Sequence, residues 1–389
     1  MTLLPQQQER AGKYIRQVSG YSAFLPAPLP PKPPLQMDDE ILALVSHADR
    51  ALGRLDGSIQ TLPDPDLFVF MYIRKEAVFS SQIEGTQSSL DDVLEAEAQV
   101  FNPQRPQDVQ EVLNYVKALR FGLEPLVELP VSVRLIREIH ARLLEGTRGR
   151  ERNPGELRNT QNWIGPAGST LNEASFIPPP PDAVPEALGQ LESFLHQTDP
   201  MPTLVKIGLA HAQFETIHPF LDGNGRMGRL LITFLLCERK ILHQPVLYLS
   251  HHLKQYRNQY YDLLQSIRDN GNWEDWIKFF LSAVAEVSQE ATQTARRIVC
   301  LREEHRRIIT ENFGRTAANG LKVLERLFSH PIISVNVLAK QTNISFTAAN
   351  QLMRRFIEHD ILTEMTGHVR NRLFRYRPYI DLFADRQLQ

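Results

Sequence analysis

Apolar residues over the first three hundred positions recur mostly at helical spacing. Ile41, Leu42, Leu44 and Val45 start the pattern after Asp38, and Leu67, Phe70, Met71, Val78 and Ile83 continue it beyond the turn signal PDPD. Helices are predicted over Leu90 to Ala98, Asp108 to Leu119 and Val133 to Leu144, the last stopping at Gly146. More follow over Val184 to Leu195, Thr203 to Thr216, Arg226 to Arg239, Tyr256 to Ile267 and from Trp273 onward. The run Ser88-Ser89-Leu90-Asp91 reads as a capping box for the Leu90 helix.

Three stretches break the rhythm. PAPLPPKPP, Pro26 to Pro34, lacks the amide donors a helix needs and reads as an extended arm, packed on the surface or serving as an SH3-type ligand. From Arg150 to Pro181 turn residues dominate, punctuated by Trp163, Ile164, Phe176 and Ile177, the pattern of a functional hairpin-like loop. After Gly320, helices over Gly320 to Leu327, Val335 to Gln341 and Thr347 to His359 precede β-prone pieces at Ile361 to Met365 and Arg372 to Tyr376 around Gly367. That order reads as helix-turn-helix followed by a two-stranded wing.

The chain's 389 residues exceed one ordinary core and point to two or three modules. Its 43 basic and 45 acidic residues leave a formal charge of -2, so nucleic-acid contact would have to be local. Cys237 and Cys300 lie too far apart in sequence for a CxxC pair, which supports neither a disulfide framework nor a cysteine zinc site. The start MTLLPQQQERAGKYIRQ has no apolar targeting core, and the longest apolar run, Leu230 to Cys237, is far too short to span a bilayer. A soluble, cytoplasmic protein is the expectation.

The densest chemistry lies in IHPFLDGNGRMGRLLITFLL, where a polar, glycine-rich turn runs into an apolar helix. Gly223, Asn224 and Gly225 should sit at that helix's N-terminus, where free amides and the positive dipole end bind phosphates. Gly223 and Gly225 would permit positive φ and close backbone approach, and Asn224 would tolerate a left-handed conformation and add an amide donor. Asp222 offers one hard oxygen ligand to Mg²⁺. Arg226 and Arg229, three apart, would clamp the polyphosphate, and His218 would take a proton from an attacking hydroxyl as general base. Gly223 to Gly228 also fits GxGxxG, but the preceding VKIGLAHAQFETI has helical spacing and nothing acidic follows in Ile241 to Ser250, so neither requirement of a dinucleotide fingerprint is met.

His218, Phe220, Asp222, Gly223, Asn224, Gly225, Arg226 and Arg229 match HxFx(D/E)GNGRxxR at every fixed position, and in this the chain resembles the Fic family. The resemblance implies a mainly α fold: a Fic-type helical bundle with a β-hairpin flap, joined here to the C-terminal winged helix-turn-helix. It divides the chain into an N-terminal helical region over 1–110, a catalytic domain over 111–300 and the winged helix over 301–389. It also implies transfer of AMP from ATP, with Mg²⁺, to Tyr, Thr or Ser hydroxyls of a target protein, the chain itself included. NWIGP and FIPPPP resemble the family's flap, with Ile164 and Gly165 docking the target segment. Gly225 separates the chain from phosphotransferring relatives that carry lysine there, while phosphocholine transfer stays open.

Ser80-Ser81-Gln82-Ile83-Glu84-Gly85 resembles the family's inhibitory pattern (S/T)xxxE(G/N). Glu84 would lie at a helix end whose dipole disfavours a carboxylate, so it needs a cation, and Arg229 is the natural partner. The same glutamate serves AMP removal in some relatives. Tyr256, Asn258, Tyr260 and Tyr261 are placed by resemblance beside the adenine. From Thr316 to Gln389 there are ten Lys or Arg against six Asp or Glu, an excess that permits DNA binding and frames the alternative of a nucleotide-sensing DNA-binding regulator. A homodimer is a further partner the resemblance leaves open.

Overall fold

The computed structural model describes residues 9–60, 65–100, 102–147, 151–166, 168–366 and 372–384. The Gly367 tip of the expected wing and the first eight residues, read above for targeting, lie outside them.

The chain opens with a hairpin the periodicity reading did not contain: β1 (Gly12–Arg16) pairs antiparallel with β2 (Ser22–Pro26), Tyr14 opposite Phe24. Phe24 is buried and meets Tyr14 edge-on at 5.0 Å. Gly12 is required here, because at φ +141° a Cβ would lie 2.2 Å from the Leu25 carbonyl. The proline arm then runs along the surface, held by Arg10, which donates to the carbonyls of Pro33 and Pro34 and forks onto Glu274 at 2.9 and 3.0 Å.

Helices follow as α1 (Asp39–Gln60), α2 (Pro65–Ile83), α3 (Leu90–Glu97), α4 (Val109–Leu123), α5 (Val133–Leu143), α6 (Val184–His196), α7 (Thr203–Ile217) and α8 (Asn224–Glu238). Next come α9 (Ser250–Gln255), α10 (Arg257–Asn270) and the forty-residue α11 (Trp273–Asn312), along which α1 packs. The capping box of α3 is one residue later than expected: Ser89 and Asp92 exchange bonds at 3.2 and 2.8 Å, while Ser88 donates to Asp108 instead. Both serines fit the S-x-x-D spacing, and the choice was made by Asp108, distant in sequence.

Nearly every residue of α7 and of α8 up to Leu236 is buried, polar ones included. A helix buried all round lies at the centre of a bundle, so this pair, and the loop joining it, is rooted in the core.

The remainder holds α12 (Ala317–Ser329), β3 (Ile332–Ser334), α13 (Val335–Thr342), α14 (Phe346–Glu358), β4 (Thr363–Glu364), β5 (Leu373–Arg375) and α15 (Arg377–Ile380). The three strands pair antiparallel in the order β3-β5-β4, adding a strand, β3, to the expected two. Ser334 and Ser345 cap α13 and α14 through their side-chain oxygens.

Divisions at 110/111 and 300/301 both fall inside helices, α4 and α11. The buried apolar residues form one cluster from Ala11 to Phe383. α2 is the shared wall, packing on α4, α8 and α9 and on α12 of the C-terminal part. Among the described residues no helix is long and apolar enough to cross a membrane.

Candidate active site

α7 ends at Ile217, and His218 takes the left-handed conformation, φ 49°, ψ 59°. Such backbone is costly for a residue with a Cβ and persists only where the surroundings over-determine it. Arg158 supplies much of that: Nε donates to the His218 carbonyl at 2.9 Å, Nη2 to the Ile217 and Pro179 carbonyls, and its own amide to Pro219 at 3.0 Å. Asn224 closes the loop from inside, its Oδ1 accepting from the Phe220 amide and its Nδ2 donating to the Phe220 carbonyl, both at 2.8 Å. Asn162 donates to the same carbonyl at 2.8 Å.

Beneath the loop, the ring of His140 stacks on Phe220 with centroids 3.7 Å apart and planes 4° from parallel. Its Nδ1 accepts from the Gly155 amide, so Nε2 carries the proton and donates to the Asp222 carbonyl at 2.9 Å. Burial pushes its pKa down to about 4, keeping the ring neutral.

Gly223 takes φ +76° at the N-cap of α8, and no side chain caps that helix, which leaves its first-turn amides to an incoming anion. Two expectations need correction here. Asn224 is helical, not left-handed, and its side-chain amide holds both the amide and the carbonyl of Phe220; Gly225 is the second. Gly225 has no positive φ; its glycine is required by clearance, since a Cβ would lie 2.1 Å from Glu84 Oε1 and 3.0 Å from Arg229 Nη1.

Glu84 therefore rests on the first turn of α8. Its Oε1 accepts from Arg229 Nη2 at 2.7 Å, and Arg229 further donates to the side chain and carbonyl of Ser80 at 2.8 and 2.9 Å. Burial raises the Glu84 pKa, but Arg229, with Arg226 and His218, outweighs it and holds the carboxyl below its usual range. Arg226 is likewise engaged, donating to buried Glu111 at 3.0 Å, with Asp222 3.7 Å away.

The His218 pKa is lowered to about 4 by burial first, then by the charges of Arg268 and Arg158. Glu84 and a hydrogen bond to the Glu215 backbone act in the opposite sense and are outweighed. A neutral imidazole at the base of an anion-binding helix start can accept a proton at ordinary pH. Asp222 is 44% exposed, and its Oδ1 accepts from the Gly223 amide at 2.6 Å. Among the described residues no group of three or more His, Cys, Asp or Glu converges to hold a metal. One accessible carboxylate fits Mg²⁺, which commonly takes one or two protein carboxylates and completes its shell with phosphate and water.

The expected flap hairpin is a single antiparallel bridge, Ile164 with Phe176, in which the Ile164 amide donates to the Phe176 carbonyl at 2.8 Å. Its base is braced by β2, where the Phe24 amide donates to Ile177 at 2.9 Å. Gly165 turns tightly, as a Cβ there would lie 2.6 Å from Ser169 Oγ. Of the adenine candidates, Tyr256 and Asn258 are exposed and Tyr261 is half-buried. The Tyr261 phenol is pushed up to about 12 by burial and by Glu84. Tyr260 is corrected to core: it is fully buried, with its hydroxyl 2.9 Å from His211 Nε2.

Sequence reasoning missed His140, Arg158 and Glu111. The signal available was a charged or polar residue interrupting an apolar stripe, as at Glu111, but this does not name a partner.

Two models describe consecutive stretches of the chain: Fic/DOC family N-terminal over residues 42–124 and Fic/DOC family over 130–236. The chain is 30% identical over 172 residues to the protein adenylyltransferase Fic of Drosophila grimshawi, a match covering 43% of this chain and 32% of that protein. It is 40% identical over 70 residues to a probable protein adenylyltransferase of Aquifex aeolicus, covering 18% and 22%. The chain thus spans a third or less of these relatives. In fold it is similar to a Fic family protein from Desulfovibrio desulfuricans, with a TM-score of 0.59 at 22% identity, over 88% of this chain and 97% of that one. With both models matching around the assembled loop, and helices arranged as in that structure, the chain belongs to the Fic/DOC family.

Proposed function

We propose that the chain is a protein adenylyltransferase that moves AMP from ATP to a Tyr, Thr or Ser hydroxyl of a target protein and is restrained by Glu84. The observation that carries this reading is the meeting of Glu84, Arg229 and Gly225: a carboxylate from α2 occupies the first turn of an uncapped helix start otherwise suited to phosphate.

In this reading the α-phosphate lies on the α8 amides, and Arg226 and Arg229 bind the outer phosphates, Arg229 after parting from Glu84. His218 takes the hydroxyl proton as the oxygen bonds to the α-phosphorus and the bond to the β-phosphate oxygen breaks, releasing diphosphate. Asp222 would hold Mg²⁺, which neutralises charge on the phosphates when bound. Ile164 and Gly165, at the bridged turn, would align the acceptor segment by main-chain pairing. The strand order β3-β5-β4 beside α13 and α14 supports reading the C-terminal part as a winged helix.

The test is intact mass after incubation with ATP and Mg²⁺ of the chain, Glu84→Gly and Glu84→Gly/His218→Ala, with a protein extract as acceptor. An AMP adduct made by Glu84→Gly and absent with the double variant is expected. Absence of any adduct from Glu84→Gly, on itself or on any acceptor, would sink the reading.

A further inference from the structure

One buried cation near the loop has no part in the scheme above. Arg268 lies in the last turn of α10 and is 6% exposed. Its hydrogen bonds go to neutral side chains: Nε donates to Thr216 Oγ1 and Nη1 to Gln265 Oε1, both at 3.3 Å. Its Cζ lies 3.7 Å from the centroid of the Phe176 ring. A guanidinium over an aromatic face is attracted by the ring, most strongly where water is excluded, and its planar shape fixes the orientation of the stack as well as the distance.

Both contacts lead to parts that have to meet in the reaction. Phe176 is the flap residue bridged to Ile164: each amide of the pair donates to the carbonyl of the other, at 2.8 and 3.1 Å. Its ring is 2% exposed and also meets Phe24 of β2, with centroids 6.0 Å apart. Thr216 lies in the last turn of α7, two residues before His218, and its hydroxyl donates to the Ala212 carbonyl at 2.9 Å while its oxygen accepts from Arg268. One side chain from a third helix thus stands between the bridge of the flap and the root of the catalytic loop.

We propose that Arg268 is a positioning residue that sets the flap against the catalytic loop, so that an acceptor segment paired at Ile164 presents its hydroxyl to His218. It acts through Phe176 and Thr216 rather than on the reacting atoms. An acceptor displaced by about 1 Å can lose on the order of a hundredfold in rate, so a contact that fixes this spacing bears on transfer even though it makes no bond to ATP.

This inference rests on the flap reading of the proposed function. Transfer from α-labelled ATP to the proteins of an extract is to be compared near about pH 8, where an imidazole is neutral with or without the Arg268 charge beside it. The chains are Glu84→Gly alone and with Arg268→Gln, Phe176→Leu or both. Arg268→Gln should lower the rate at saturating ATP by roughly thirtyfold, the range of one desolvated cation–π contact, and leave the KM for ATP within about twofold. Phe176→Leu should do about the same, and the double variant should fall no more than about threefold below the worse single, since both changes remove one contact. Deuterium exchange at the amides of Ile164 and Phe176 should quicken by about tenfold or more in Arg268→Gln, with exchange in α8 unchanged. Losses that multiply in the double variant, a KM for ATP that rises as far as the rate falls, or flap exchange within about twofold of the parent would overturn the inference while leaving the proposed function standing. No adduct from Glu84→Gly would overturn both. Should Arg268→Gln fail to melt cooperatively, Arg268→Lys keeps the charge without the planar stack; its loss should vanish when Phe176→Leu is the parent, and a loss that persists there would overturn the inference.

Discussion

The catalytic loop and the arginines that follow it are built on opposite principles. From His218 to Asn224 the backbone is fixed by neutral or one-sided hydrogen bonds internal to the core: Asn224 on Phe220, Arg158 on three carbonyls, His140 on Asp222. Nothing in that set has to move for phosphate to arrive. Arg226 and Arg229 are instead paired with carboxylates from other helices, Glu111 as a buried counter-ion and Glu84 as a competitor for the charge a nucleotide would use. The frame is permanent, and the charge on it is exchangeable.

Breaking the frame should cost most. Asn224→Ala strips two bonds from buried Phe220, and each buried group left unpaired costs about 1–3 kcal/mol. Transfer activity in the Glu84→Gly background is expected to fall by at least about a hundredfold. A fall of less than about tenfold would mean that Arg158 and Asn162 hold the loop without it.

Exchanging the charge should cost less and run the other way. Glu84→Gly frees Arg229 and bares the first turn of α8, so transfer from α-labelled ATP should rise by roughly ten- to a hundredfold, the range of one charge-assisted contact. Glu111→Gln is expected to change it by less than about fivefold, because Glu111 is buried on α4 and does not rest on the helix start. Equal gains from both variants would erase the distinction between a brake and a structural counter-ion.

How much of this was legible beforehand follows the same division. The loop residues and Glu84 form contiguous strings, and glycine-to-helix punctuation locates the phosphate site from local physics. What supports them comes from far along the chain: His140 lies 82 residues from Asp222, Arg158 lies 60 from His218, and Glu111 lies 115 from Arg226. Local periodicity contains no such pairings. The reason for Gly225 was misread for the same cause, since the atom it makes room for belongs to Glu84, distant in sequence. The hairpin of β1 and β2 was missed because five-residue strands carry little periodic signal beside long helices, and its contact with the flap at Ile177 is again non-local.

The finest discrimination between frame and charge is the response of His218 to acid. An ordinary histidine, pKa near 6.5, would lose roughly tenfold of its neutral form between about pH 7.5 and 5.5. In the loop, burial and then the charges of Arg268 and Arg158 lower that pKa to about 4, while Glu84 and a hydrogen bond to the Glu215 backbone act in the opposite sense. Removing Glu84 therefore lowers it further, and the base stays unprotonated across the interval. Single-turnover transfer by Glu84→Gly at saturating ATP and Mg²⁺ should fall by less than about threefold over that range. Saturation matters, because weaker nucleotide binding at low pH would otherwise imitate loss of the base. A tenfold fall under saturation would show that the imidazole titrates as if in water, and the permanence assigned to the frame would not extend to the residue at its head.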